Sequence, residues 1–264
     1  NIPSFYARIP LFCHLLNEVF VMANLLAIEA ASDSCSVALH IDDQIIERTE
    51  AAPRMHSRLL YPMLNSLMQE AGITPKQLDA VVFGKGPGSF TGLRIAAATA
   101  QGIGFACDLP LIGISTLQAM AQQTRKDISC ESVLAIMDAR MSELYVGCYQ
   151  WNNEVQLMQP SIKDQICPIN TSLNMLGLGE ENDLVACGHG LKLQTKLDLS
   201  IQNIANQNAN QILNASSLMP EGLYLFQQNQ ILKPEEVELS YLREQSHWKT
   251  IKQQVEFKNQ QKTS

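Results

Sequence analysis

The sequence predicts an α/β protein built from two similar lobes, and three observations carry that reading. From residue 24 onward, short apolar runs of strand character alternate with segments of helical spacing. The string LLAIEAASDSCSVAL, beginning at Leu25, returns as VLAIMDARMSELYVGCY, beginning at Val133. DAVVFGKG at 79–86 returns as DLVACGHG at 183–190, with the shared pattern DxVxxGxG. Ala27 to Val81 spans 54 positions and Ala135 to Val185 spans 50, so both elements recur in order at similar separation. A period of about 100 residues is too long for a solenoid and suits two like domains with a cleft between them.

The elements follow in order. NLLAIEAA (24–31) is a buried strand; after the Ser32-Asp33-Ser34 turn, CSVALHID alternates as a second strand and QIIERTEA (44–51) as a third. Leu59, Leu60, Met63, Leu64, Leu67 and Met68 recur at helical spacing, and Gly72 supplies a C-terminal stop. DAVVFGKG is a fourth strand, SFTGLRIAAATAQGIGFA a helix of small residues, and PLIGIS with TLQAMAQQTR a strand and a helix. SVLAIMDARMSELYVGCYQW reads as two strands joined by a polar turn. The Asn/Gln-rich stretch 201–214 reads as surface helix or loop, MPEGLYLFQQNQI as a last helix, and PEEVELSYLREQSHW as a proline-introduced terminal strand and tail. The expected organisation is a first lobe over 22–130, a second over 131–250 and a polar, frayed tail over 251–264.

The opening 21 residues precede the first convincing strand, and Met22 is the expected natural start. As a signal peptide they fail: there is no basic n-region, Pro10 interrupts the apolar stretch, and no small-residue cleavage site follows. They are expected to be a non-native or disordered leader, the alternative being an extra amphipathic helix.

Composition excludes several classes of function. The net charge is −7, and no part is basic: residues 22–130 carry 8 basic and 10 acidic groups, residues 131–264 carry 10 and 15. Unaided nucleic-acid binding draws most of its affinity from neutralising phosphates and is disfavoured here. The seven cysteines are scattered without a CxxC pair, which fits a reducing cytoplasm and not a disulfide scaffold. The five histidines include no HxxxH or HExxH, so the sequence offers no local metal site, and no apolar run reaches the length of a membrane span.

The most specific segment is GKGPGSFTGLRIAAATAQGIG, residues 84–104. Gly84, Gly86 and Gly88 permit positive φ and close backbone approach, Pro87 stiffens the turn, and Ser89 can cap the helix that follows. Such a turn can hold an anion, yet it is neither a Walker A loop nor GxGxxG. Tight structural turning is the favoured reading, with a vestigial phosphate loop at Gly84, Gly86, Gly88 and Ser89 as the functional one.

Gly92, Ala96, Ala97, Ala98, Ala100, Gly102 and Gly104 leave the helix little bulk, so another helix could approach closely. With the methionine-bearing helix from His56 it could form half of a four-helix interface. Leu60, Met63, Leu64, Leu67, Ile95 and Ala98, with His56 at the helix start, are the expected partner-facing residues. Asp138 and Arg140 read as a locally paired turn, and Lys85 and Arg94 as a solvated face able to steer an anion or acidic partner. No residue is assigned a catalytic role.

The strings GKGPGSFTGLRIAAATAQGIG, PLIGISTLQAMAQ, AIMDARMSELYVGCY, HSRLLYPML and YLREQSHWK resemble the bacterial TsaB (YeaZ) family, in the glycoprotease-like branch of the actin/Hsp70/sugar-kinase superfamily. The resemblance implies two actin-like lobes with a ribonuclease H-like core. It also implies a part in making threonylcarbamoyladenosine beside the anticodon of tRNAs that read codons starting with A. In that family the chemistry belongs to the paralogue TsaD, which holds metal through paired histidines, and an ATPase, TsaE, joins the pair. The resemblance therefore implies a non-catalytic subunit with no cofactor of its own. ATP and metal would sit on partners, and tRNA would be met only through the complex; separately from the resemblance, a free homodimer that regulates something else is a third possibility, with one helical surface serving both dimers in competition. Residues 115–123, where a TsaD-like protein would carry its histidines, read STLQAMAQQ. The first strand ends in AIEAAS, with Glu29 where the family usually has Asp. The alternative is an ATP- or metal-dependent enzyme of the same superfamily, a phosphotransferase or glycoprotease-like peptidase.

Overall fold

The structure is a computed structural model and describes residues 23–53, 55–179 and 183–243. The expected leader and the polar tail lie outside the described residues. Two five-stranded mixed sheets form the two lobes. In the first, β1 (Leu25–Glu29), β2 (Ser34–Ile41) and β3 (Gln44–Ala51) run antiparallel, while β4 (Ala80–Gly86) and β5 (Leu111–Ser115) extend the other edge in parallel, giving the order β3-β2-β1-β4-β5. In the second, β6 (Ser132–Arg140), β7 (Glu143–Asn152) and β8 (Leu157–Pro168) are antiparallel, and β9 (Leu184–Cys187) and β10 (Asn206–Asn208) are parallel to β6. The order β8-β7-β6-β9-β10 repeats the first sheet strand for strand, so the duplication read from the sequence is a duplication of topology.

In the second sheet two elements differ from the sequence expectation. β8 has no counterpart in it, because Pro160 and the polar residues at an edge blur the alternation that marks a strand. The 201–214 stretch holds neither one long helix nor pure loop: it contains the last turn of α4 (Leu199–Gln202) and then β10, which closes the parallel edge.

Helices α1 (His56–Ala71) and α2 (Phe90–Cys107) cover one face of the first sheet. Gly72 ends α1 in the left-handed conformation, and Ser89 caps α2 by accepting from the Gly92 N–H at 3.3 Å. Helix α3 (Thr116–Asp127) lies between the sheets: Leu117, Ala119, Met120 and Ala121 share one apolar core with Leu25, Ala27 and Val82 on one side and Val133, Ala135 and Val185 on the other. After β10 the chain returns to the first lobe. Met219, at the start of α5 (Met219–Gln227), joins that shared core, and Gly222 sits against Val82. Leu232 then bridges to Leu111. Residues 234–243 form a short 3-10 turn followed by extended chain, not the terminal strand expected. Among the described residues no helix is long and apolar enough to cross a membrane.

Candidate functional site

The glycine turn at the end of β4 is built against the β1–β2 turn. The Ser89 N–H donates to the Ala31 carbonyl at 2.7 Å. A Cβ on Gly88 would stand 2.6 Å from that same oxygen, and one on Gly92 would stand 3.0 Å from the Ala30 carbonyl carbon and nearer still to its oxygen. Gly86 takes φ +104 with Leu93 and the Ser240 carbonyl beside it. A Cβ on Gly84 would meet the Glu29 carboxyl, whose carbon would lie 2.9 Å away. The three glycines thus serve close approach of the protein to itself, and Ser89 serves as the helix cap.

Glu29 is the unusual group here. It is fully buried; its Oε1 accepts from the Ala31 N–H at 2.5 Å while Oε2 has no partner. Burial raises its pKa from 4.5 to about 7, against the lowering effect of the Ala31 and Ala30 backbone N–H groups. A carboxyl with a raised folded pKa costs stability: nothing below about pH 4.5, where both states are protonated, then progressively more until about pH 7, beyond which the cost is constant. That cost is about 3 kcal/mol at full development. Glu29→Gln is therefore expected to flatten the stability profile between pH 4.5 and 8 and to raise the melting temperature at pH 8. Thermal unfolding across that range is the check, and an unchanged pH slope would contradict it.

The second lobe presents its own turn. Asp138 accepts from the Arg140 N–H at 2.7 Å and pairs with its guanidinium at 3.0 Å, the local pairing the sequence suggested. His189 lies near Asp138 and Asp33, yet its burial outweighs them and lowers its pKa. Between the lobes lies a network that sequence reading missed. Ser115, the cap of α3, donates to Asp164 at 2.5 Å, and the Tyr149 hydroxyl donates to the other oxygen of that carboxylate. Burial raises the Asp164 pKa despite these donors. Asp164 lies in the β7–β8 irregularity between the Val146–Gln165 and Cys148–Ile162 pairs, against Gly147 and beside Tyr149, a placement that strand alternation alone would not give. Among the described residues no group of three or more His, Cys, Asp or Glu is placed to hold a metal ion.

The expected partner face requires correction. Leu60, Met63, Leu64 and Leu67 are buried against the protein's own first sheet, in one cluster with Leu26, Val37 and Phe83. His56 is also buried, its Nε2 at 2.9 Å from the Ser32 carbonyl, where it ties the start of α1 to the β1–β2 turn. Ile95 is half buried and Ala98 is exposed. The outward face of α1 is mostly polar, with Ser57, Arg58, Asn65, Ser66, Gln69 and Glu70 exposed around Pro62 and Tyr61, the last 69% exposed. That of α2 carries Ile95, Ala98, Gly102 and Phe105, spaced 3-4-3 along one stripe, with Phe105 62% exposed. The two helices touch, so an aromatic ring stands out from each of two adjoining helices, with small residues lining the α2 stripe. Lys85 lies among the Asp164 and Glu221 carboxyls, while Arg94 stacks on Phe90 at 3.7 Å.

The family model described as TsaD, tRNA N6-adenosine threonylcarbamoyltransferase, matches residues 43–245. The chain is 34% identical to a Haemophilus influenzae protein named tRNA threonylcarbamoyladenosine biosynthesis protein TsaB, over 86% of this chain and 96% of that one. It is 30% identical to the Escherichia coli protein of the same name, over 86% and 97%. The solved structure titled YeaZ from Pseudomonas aeruginosa superposes with a TM-score of 0.77 at 29% identity, covering 84% of this chain and all of that one.

Proposed function

The chain belongs to the TsaB (YeaZ) family, and from that premise we propose that it serves threonylcarbamoyladenosine biosynthesis as the non-catalytic companion of a TsaD-like transferase. The observation that carries the reading is the outward stripe Ile95-Ala98-Gly102-Phe105 on α2, with Tyr61 exposed on the adjoining α1. Small residues let a partner helix approach closely, and the flanking aromatic rings supply the apolar area that anchors an interface. A stable pairing of this kind buries about 1,600 Å² in all. The inner faces of both helices are already spent on the first sheet, which leaves only the outer faces for a partner.

The non-catalytic role is supported by residues 115–123, which carry no histidine where the paralogue would hold its metal. It is supported also by the glycine turn, whose close approaches are to Ala30, Ala31, Glu29 and Ser240 of the same chain. ATP and metal then belong to the partners, a TsaE-like ATPase joins the pair, and tRNA is met only in the assembled complex, in the cytoplasm. The chain alone would pair with itself through the same helices, in competition with the transferase. Omitting this chain from a mixture of TsaD-like protein, TsaE-like protein, tRNA, threonine, bicarbonate, ATP and the enzyme that makes the adenylate is expected to abolish the modified nucleoside. Undiminished product without it would contradict the reading.

A further inference from the structure

The chain from Leu232 to Arg243 runs from the amino end of β5, where Leu232 pairs with Leu111, to the carboxyl end of β4, where Ser240 meets Lys85; the carboxyl end is where open α/β sheets ordinarily receive ligands. Its start is firmly seated. Leu232 exchanges both backbone hydrogen bonds with Leu111 at 2.8 Å, the Gln101 side chain donates to the Pro234 carbonyl at 2.7 Å, and Val237 and Leu239 pack on the α1/α2 core. The Ser240 N–H then donates to the Lys85 carbonyl at 2.8 Å, and the Ser240 carbonyl lies against Gly86. Tyr241 stacks on Phe90 at 5.6 Å and accepts from Arg94 at 3.2 Å. At the far end Arg243 leaves the first lobe: it pairs with Glu143 and donates to the Ala139 carbonyl at 3.0 Å, gripping the β6–β7 turn of the second lobe.

We propose that residues 240–243 are a removable strap, hinged on the packed Val237 and Leu239 and latched to the second lobe by Arg243 on Glu143 and the Ala139 carbonyl, which shields the glycine turn while the latch holds. The asymmetry of its anchorage carries the idea. The end at Leu232–Leu239 is held by backbone pairing and apolar burial, whereas among the described residues the end at Ser240–Arg243 is held by one backbone bond to the sheet, a half-exposed tyrosine and one guanidinium. Polar contacts at a surface open at far lower cost than a packed core. A partner or ligand that competes for Arg243 or Glu143 would free the strap, uncovering the buried Gly86 and releasing the exposed Arg94 from Tyr241, without disturbing either sheet.

Hydrogen exchange on the full chain at neutral pH tests this, with the Ser240 amide as the reporter and the amides of 25–28 as the reference for global opening. Arg243→Ala and Glu143→Gln are each expected to speed Ser240 exchange about tenfold or more while 25–28 stay protected. Arg243→Lys, which keeps a cationic donor for the Glu143 carboxylate and the Ala139 carbonyl, is expected to retain most of the protection that Arg243→Ala loses. Ser240 exchange that is unchanged in both Arg243→Ala and Glu143→Gln, that rises only in step with 25–28, or that Arg243→Lys speeds as much as Arg243→Ala would overturn the proposal.

Discussion

Gly92→Ala is expected to destabilise the protein by about 3 kcal/mol or more, which urea unfolding would read as a large fall in midpoint with little change in slope. The added methyl would be driven into the Ala30 carbonyl, a backbone group held by the β1–β2 turn, so no side chain can swing aside to relieve it. Either α2 moves away, opening the cluster of Ala96, Ala97 and Ala100 against Phe83, or the turn moves and loses the Ser89–Ala31 hydrogen bond. Gly102→Ala on the same helix is the internal control. Nothing lies within 4 Å of its Cβ position, and Ala there should gain about 0.5–1 kcal/mol through helix propensity alone. Equal effects at the two glycines would mean that α2 does not sit on the turn as described.

Much of the fold was legible because it rests on local signals. Gly72 as the stop of α1, Ser89 as the cap of α2 and the repeated DxVxxGxG all mark boundaries that backbone chemistry imposes. Edge elements were not legible. β8 and β10 are specified by the strands they pair with, and their own residues, Pro160 and the Asn/Gln run, carry weak or contrary preference. The return of residues 215–241 to the first lobe is likewise a long-range choice: Ser36 receives the Ala215 N–H across 179 positions.

The partner face shows a different limit. Helical spacing correctly put Leu60, Met63, Leu64 and Leu67 on one face of α1, yet spacing cannot say whether that face meets the protein's own sheet or another molecule. The sheet wins because its inner positions, Leu26, Val37 and Phe83, are themselves apolar and need cover. Of the residues singled out in sequence, Ile95 and Ala98 retain outward exposure, and Tyr61 and Phe105 join them. Those two lacked a signal because single aromatic residues on a polar helical face are ordinary in sequence. They become informative only once each is seen to be exposed on one of two adjoining helices.

Ala98→Glu with Phe105→Glu is expected to abolish pairing with a TsaD-like partner while leaving the folded chain nearly as stable as before. Both positions are exposed, so neither glutamate would be buried in the free protein, and Glu is a good helix former. In the complex each carboxylate would have to be desolvated in an apolar seam, and together they would weaken binding more than about a hundredfold. Leu60→Glu and Leu64→Glu could not serve this purpose, because they would put charge into the core of the first lobe and unfold it.

Size-exclusion chromatography with light scattering, on this chain mixed with its TsaD-like partner, tests the central claim most directly. The account predicts a stable heterodimer with the natural sequence and two separate species when Ala98→Glu and Phe105→Glu are present, with melting temperatures of the two forms of the free chain within a few degrees. A heterodimer that survives both substitutions would place the partner elsewhere on the molecule, and no heterodimer with the natural sequence would contradict the companion role itself.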